Sequence, residues 1–207
     1  MTNYDELSKA LFDVRKAYRL LYLFQRRILD LVDQLSGKLG HEFYYWLPSG
    51  DEEAIRGGAN PLERSAWKML PLFDASFLYL PPGVKGDDPP QRGQWLLELL
   101  SNPDDGQPES GRGDPNPADF ADPAQCRSTL YMYALIVKED MPGKKWWRNV
   151  YEASEWPDED GVAESNDAGV SVIGLSSDLA SLADSSAVDS LADRFRELVK
   201  EHGGIVA

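Results

Sequence analysis

From Leu7 to Leu35 apolar side chains recur in alternating steps of four and three: Leu7, Leu11, Val14, Tyr18, Leu21, Ile28, Val32 and Leu35, with Gln25 the one polar member. That spacing lines them along one face of an α-helix. No glycine or proline interrupts residues 4–36. Asn3 with Glu6 three residues later fits a capping box, and Gly37 and Gly40 supply a stop. The pattern predicts one helix from Tyr4 to Ser36, roughly 50 Å long at 1.5 Å per residue. A compact 207-residue domain is about 43 Å across. Such a helix spans or overhangs its own domain.

Its middle tightens the constraint. Leu20, Leu21, Tyr22, Leu23 and Phe24 are apolar on nearly every side, so one facing surface cannot cover them. Either the rest of the chain wraps this turn, or a second copy packs on it. The second case predicts a homodimer through the N-terminal helix, with Leu11, Val14, Tyr18, Leu21 and Ile28 as its seam.

After His41 the period changes. Glu42–Pro48 is aromatic-rich and closed by proline, as a short strand is. Asp51 to Asn60 reads as loop, and Leu62 to Leu70 as a short helix ended before Pro71. Ala75–Leu80 reads as a strand closed by Pro81-Pro82-Gly83. Gln94–Leu100 fits helix or strand, and its leucines favour helix. Ser101 to Pro123 holds five prolines, three glycines, six acids and one large apolar residue, Phe120. Such a stretch buries too little to offset its ordering entropy, which predicts a mobile acidic loop over 101–123. Ser128–Val137 is the strongest strand and, apolar on both faces toward its end, belongs at a sheet centre. Trp146–Tyr151 begins a strand or short helix, Pro157–Ala168 is a second loop, and Gly169–Leu175 is a last strand. Leu179, Leu182, Val188, Leu191, Phe195 and Leu198 mark a C-terminal helix, with Ser186 and Asp189 resembling its cap. The expectation is a single α+β domain over 1–207: a long N-terminal α-helix and a C-terminal helix packed on a mostly antiparallel sheet.

Charge is distributed unevenly. The net charge is −14, yet the first forty residues hold seven Lys and Arg against five acids. Residues 152–193 hold eleven acids and no Lys or Arg. Acidity of this degree argues against direct nucleic-acid binding, which draws its affinity from cations on phosphates. No apolar run approaches the ~20 residues of a membrane span, and Met1–Glu6 lacks the pattern of a signal peptide. Cys126 is the one cysteine, so no internal disulfide forms. These features predict a cytoplasmic protein without a membrane association.

Catalytic motifs fail one by one. His41-Glu42 opens like H-E-x-x-H, but Tyr45 stands where the second histidine is required. Asp158-Glu159-Asp160-Gly161 opens like a calcium loop and then breaks at Val162, Ala163 and Gly169. Val137-Lys138-Glu139-Asp140 has the wrong order for a metal-dependent nuclease strand. Cys126 lacks a Cys-His spacing, which makes it a buried structural thiol. Lys144-Lys145-Trp146-Trp147-Arg148 interleaves bases and aromatics, a nucleic-acid signal outweighed by the acids downstream. Phosphate-cradling glycine motifs are absent from the sequence.

The expected function is therefore non-catalytic, with no metal and no cofactor: an acidic protein that binds a basic protein partner, as an inhibitor or accessory subunit does. Asp158, Glu159, Asp160, Glu164 and Asp167 are the expected partner-binding residues. The alternative is a motif-free enzyme using a carboxylate such as Glu42 or Glu98 beside the aromatic cluster. That cluster, Phe43, Tyr44, Tyr45, Trp46, Phe73, Phe77, Tyr79, Tyr131 and Tyr133, is expected to form the core between sheet and helices.

Overall fold

The strand expected at the centre lies there. In a computed structural model, which describes residues 4–48, 74–107, 116–141, 147–157, 160–165 and 169–203, Thr129–Val137 forms β4. It lies inside a six-stranded antiparallel sheet of order β1-β2-β3-β4-β6-β5. The other strands are β1 (Glu42–Pro48), β2 (Ala75–Leu80), β3 (Trp95–Asn102), β5 (Gly161–Ser165) and β6 (Val170–Asp178). Among the described residues three α-helices accompany the sheet: α1 (Tyr4–Leu39), α2 (Trp147–Glu152) and α3 (Ser185–Gly203). The fold is α+β, a long N-terminal and a C-terminal helix against an antiparallel sheet.

Period-two alternation sorts the strands onto two buried layers. Leu97 and Leu99, Leu130, Met132, Ala134 and Ile136, and Ile173 and Leu175 face one way. There they meet Ile28, Leu31, Val32 and Leu35 of α1 and Val188, Leu191, Phe195 and Val199 of α3. Leu78, Leu80, Leu96, Leu135, Val137 and Val172 face the other way, against Trp147 and Val150 of α2. Because helices cover both faces, β3 and β4 bury most of their side chains and leave none fully exposed.

That two-sided burial overturns the helical preference of Gln94–Leu100. Leucine suits a helix locally, but Leu96 and Leu97 each fill a different layer while the backbone pairs with β2 and β4. Packing overrides propensity. The loop expected over Pro157–Ala168 contains strand β5, paired with β6 from Gly161↔Gly174 to Ser165↔Val170. Two apolar residues in five are too few to announce it. Leu179–Leu182 is a separate 3-10 turn capped by Asp178. Helix α3 begins after Asp184, whose carboxylate accepts from Ala187 N at 2.9 Å and Ser186 Oγ at 2.7 Å. Asp184, not Ser186, caps it.

The expected aromatic core holds only in part. Phe77 and Tyr79 are buried, but Phe43, Tyr45 and Trp46 on the edge strand β1 are exposed. A bulge at Tyr44 separates the pairs Phe43↔Tyr79 and Tyr45↔Leu78. The Tyr44 ring lies so close to Gly86 that a Cβ there would stand 2.1 Å from it. Phe73, the loop over 51–60, the helix over 62–70, the Asn3 cap and Lys144–Trp146 lie outside the described residues. So does 108–115 of the acidic loop. Its flanks form turns in which Asn116 and Asp122 cap Pro117–Asp119 and Pro123–Gln125.

Helix α1 overhangs the body. It ends in a Schellman arrangement, Gly40 at φ 72° with His41 N to Ser36 O at 3.0 Å. Arg27 donates to Leu182 O, Arg196 donates to Lys38 O, and Lys38 pairs with Asp189. All three anchors hold the C-terminal half. Toward the other end, Leu7, Leu11, Val14 and Tyr18 are 52, 47, 46 and 70% exposed.

Phe195 and Phe12 test this division. Phe195→Ala, in the middle of the core, lowers unfolding stability by about 4 kcal/mol. Phe12→Ala, exposed on the overhang, changes it by less than about 0.5 kcal/mol. Urea titration of both variants measures the contrast.

Candidate functional site

A buried carboxyl lies beneath α2. Glu98, in the middle of β3, faces the second layer and is 2% exposed. Register places it opposite Leu78 on β2 and Tyr133 on β4. Tyr151 of α2 donates its hydroxyl to Glu98 Oε1 at 2.9 Å. Trp156 closes the group edge-on, its ring centroid 4.9 Å from Tyr133 and 5.2 Å from Tyr151. Burial pushes the Glu98 carboxyl up to about 7, against the hydrogen bonds of Ser76 and Tyr151 and with help from Asp74. Tyr133 is raised to about 12, by burial first and then by Glu98. Tyr151 is raised as well, again by burial first and then by Glu98. A carboxyl buried among phenols and a serine hydroxyl, with Asp74 adding negative charge, favours its neutral form, so it keeps its proton to near neutrality.

Glu42, the other candidate base, lies on the exposed edge strand and accepts from Gly83 N at 3.3 Å. The structure does not bring it to Glu98. Tyr151 had no sequence signal, because its partnership with Glu98 spans 53 residues.

A cleft of about 460 Å³ opens where α1 crosses the ends of β4 and β6, lined by Phe24, Arg27, Ile28, Cys126, Arg127 and Asp178 among others. Several of its polar groups have partners within the chain. Arg27 holds Leu182 O, and Asp178 caps Ala180 N at 2.8 Å. Cys126 donates to Asp122 O at 3.3 Å. Its pKa is raised, by desolvation first and then by Asp104, Asp105 and Asp122, which disfavours a nucleophilic thiolate. Ligand-type atoms of Asp104, Asp105 and Cys126 lie within 4.8 Å of one another. The two carboxylates accept from Gly106 N at 2.9 Å and Arg127 N at 2.7 Å, as turn-forming aspartates do.

His41 is buried against Trp95 with ring centroids 3.9 Å apart. Its Nδ1 and Nε2 lie 3.0 Å and 3.2 Å from the carbonyl oxygens of Leu39 and Trp95. Burial lowers its pKa although both carbonyls oppose this.

Of the expected partner-binding acids, Asp158, Glu159 and Asp167 lie outside the described residues. Glu164 falls on edge strand β5. Asp160 is exposed and turned inward: it accepts from Ser176 N at 2.7 Å and stands 4.0 Å from Arg194. Of the helix residues, Leu11, Val14 and Tyr18 are exposed, Leu21 is half-buried, and Ile28 is buried in the chain's own core. Among the described residues no helix is long and apolar enough to cross a membrane.

A protein of Pasteurella multocida (strain Pm70), "Uncharacterized protein PM0109", is 36% identical over 78 residues. That match covers 37% of this chain and 38% of the relative. No solved structure matches the chain. The model of the PM0109 family, by contrast, matches residues 4–204, from the first turn of α1 past the end of α3, and the chain belongs to that family.

Proposed function

We propose that this chain is a non-catalytic cytoplasmic protein that binds a basic protein partner, as an inhibitor or an accessory subunit. The division of charge carries this reading. Residues 4–21 hold four Lys and Arg against three acids, and the rest of the chain holds seventeen against thirty-two. The overhang is thus nearly neutral and the body strongly acidic. A surface of one sign speeds and orients encounter with its opposite, by about tenfold or more at low salt. Asp158, Glu159, Asp160, Glu164 and Asp167 gather around the β5 edge in sequence and form the proposed contact set. A lone cysteine fits a reducing compartment.

A catalytic reading has one observation behind it, the Glu98–Tyr151–Ser76 group with a carboxyl titrating near 7. Its burial weighs against it. A general base must come within hydrogen-bond reach of the proton it takes, and Glu98 exposes 2% of its surface. The group reads better as core polarity closed on itself.

Two measurements follow from these readings. With a basic partner in hand, the association rate falls about tenfold or more as salt rises from low to high. Neutralising the five acids to Asn or Gln removes most of that dependence. A rate indifferent to salt refutes the proposal.

Glu98 gives the second test through stability. Its folded pKa of about 7 lies above the value of about 4.3 for an unfolded glutamate. The unfolded chain therefore gives up the proton first, and stability falls as pH rises through that window, then levels above it. Across it the wild type loses roughly 3 kcal/mol relative to Glu98→Gln. Denaturation curves of both proteins from pH 4 to 8 measure this. Parallel curves would mean an accessible, ionised Glu98 and would restore the catalytic reading.

A further inference from the structure

The apolar stripe of α1 is one continuous feature with two fates. From Ile28 onward it is buried by the sheet and α3, and from Tyr4 to Tyr18 it is exposed. A helix of this length in water draws most of its stability from packing of its apolar face. The repeat from Leu7 to Leu35 holds to steps of four and three over four heptads. A strict 3.5-residue period is the spacing of a helix that packs along another helix.

We propose that two copies of this chain pair antiparallel through residues 4–21 of α1. The exposed stripe complements itself about a two-fold axis between positions 12 and 13. Leu11 meets Val14 of the second copy, Leu7 meets its Tyr18, and Tyr4 meets its half-buried Leu21, so four layers form from exposed residues and two at the ends on Leu21. The positions flanking the stripe, Ala10 and Ala17 on one side and Ser8 and Arg15 on the other, are small or uncharged apart from one arginine. Close approach is open, and no like charges face each other in this register.

The body decides the direction. A parallel partner would continue beyond Leu21 along the stripe, into the space taken by the chain's own sheet and α3. An antiparallel partner ends there, its Tyr4 opposite Leu21. The two acidic bodies then begin about 35 Å apart along the helix pair, several screening lengths at physiological salt. A parallel pair would set them side by side. The pairing itself rests on the apolar stripe and not on the proposed partner; only its direction also draws on the acidity of the body.

Sedimentation equilibrium of the full chain reads the first consequence. The wild type has twice the 23.1 kDa chain mass. Leu11→Asp and Val14→Asp, exposed positions whose substitution leaves the thermal transition of the monomer intact, weaken the pair by roughly a hundredfold or more. Disulfide capture in a Cys126→Ser background reads the direction. Leu7→Cys mixed with Tyr18→Cys gives a cross-linked dimer, whereas Tyr18→Cys alone does not, because the two copies of position 18 stand about 16 Å apart. A wild-type monomer, including one that binds anionic vesicles through α1, overturns the proposal. So does a dimer that survives Leu11→Asp. Efficient capture by Tyr18→Cys alone overturns the antiparallel arrangement.

Discussion

The structure depends on the seating of one half of α1 on the sheet. Ile28, Leu31, Val32 and Leu35 fill the layer between β2–β4, β6 and α3, and each fully buried aliphatic side chain contributes about 2 kcal/mol. Without that half-helix, Leu97 and Leu99 of β3 would lose their cover. The ties from Arg27, Lys38 and Arg196 orient the helix on this layer, but their exposed pairs add little stability of their own. Apolar burial outweighs them. It also fixes where the helix leaves the body, and so which part of the stripe is left uncovered.

On the opposite face the sheet tolerates a defect. Glu98 occupies a site where Leu96 and Leu135 show what the layer otherwise holds. A carboxyl buried without a cation costs stability whenever pH forces its ionisation. Tyr151 and Ser76 reduce that cost without removing it. Trp147, buried one helical turn before Tyr151, has no hydrogen-bond partner for its indole N–H among the described residues. The layer beneath α2 therefore holds the buried carboxyl, while the layer beneath α1 and α3 carries most of the apolar core.

How much of this was legible in the residues varied with the physics involved. The stripe of α1 declares itself because its period runs without a break, and β4 because its run is apolar on both faces. Strand β3 hid behind leucine, whose helical preference is local while its burial is decided by two neighbouring strands. Strand β5 hid because an edge strand of five residues needs only its partner's hydrogen bonds, not an apolar pattern. The charge asymmetry was visible at once. Glu98 was recognisable as a carboxylate near aromatics, but its phenol partner was not, because α2 and β3 meet only in the folded chain.

The two rims of the sheet bear on how the molecule behaves when crowded. One is β1, broken by the bulge at Tyr44 and held there by the contact with Gly86. The other is β5, five residues long and set in the most acidic stretch of the chain. Irregular or charged margins of this kind deny incoming strands a template. Growth of the sheet by strand addition meets a bulged backbone at one rim and like charge at the other.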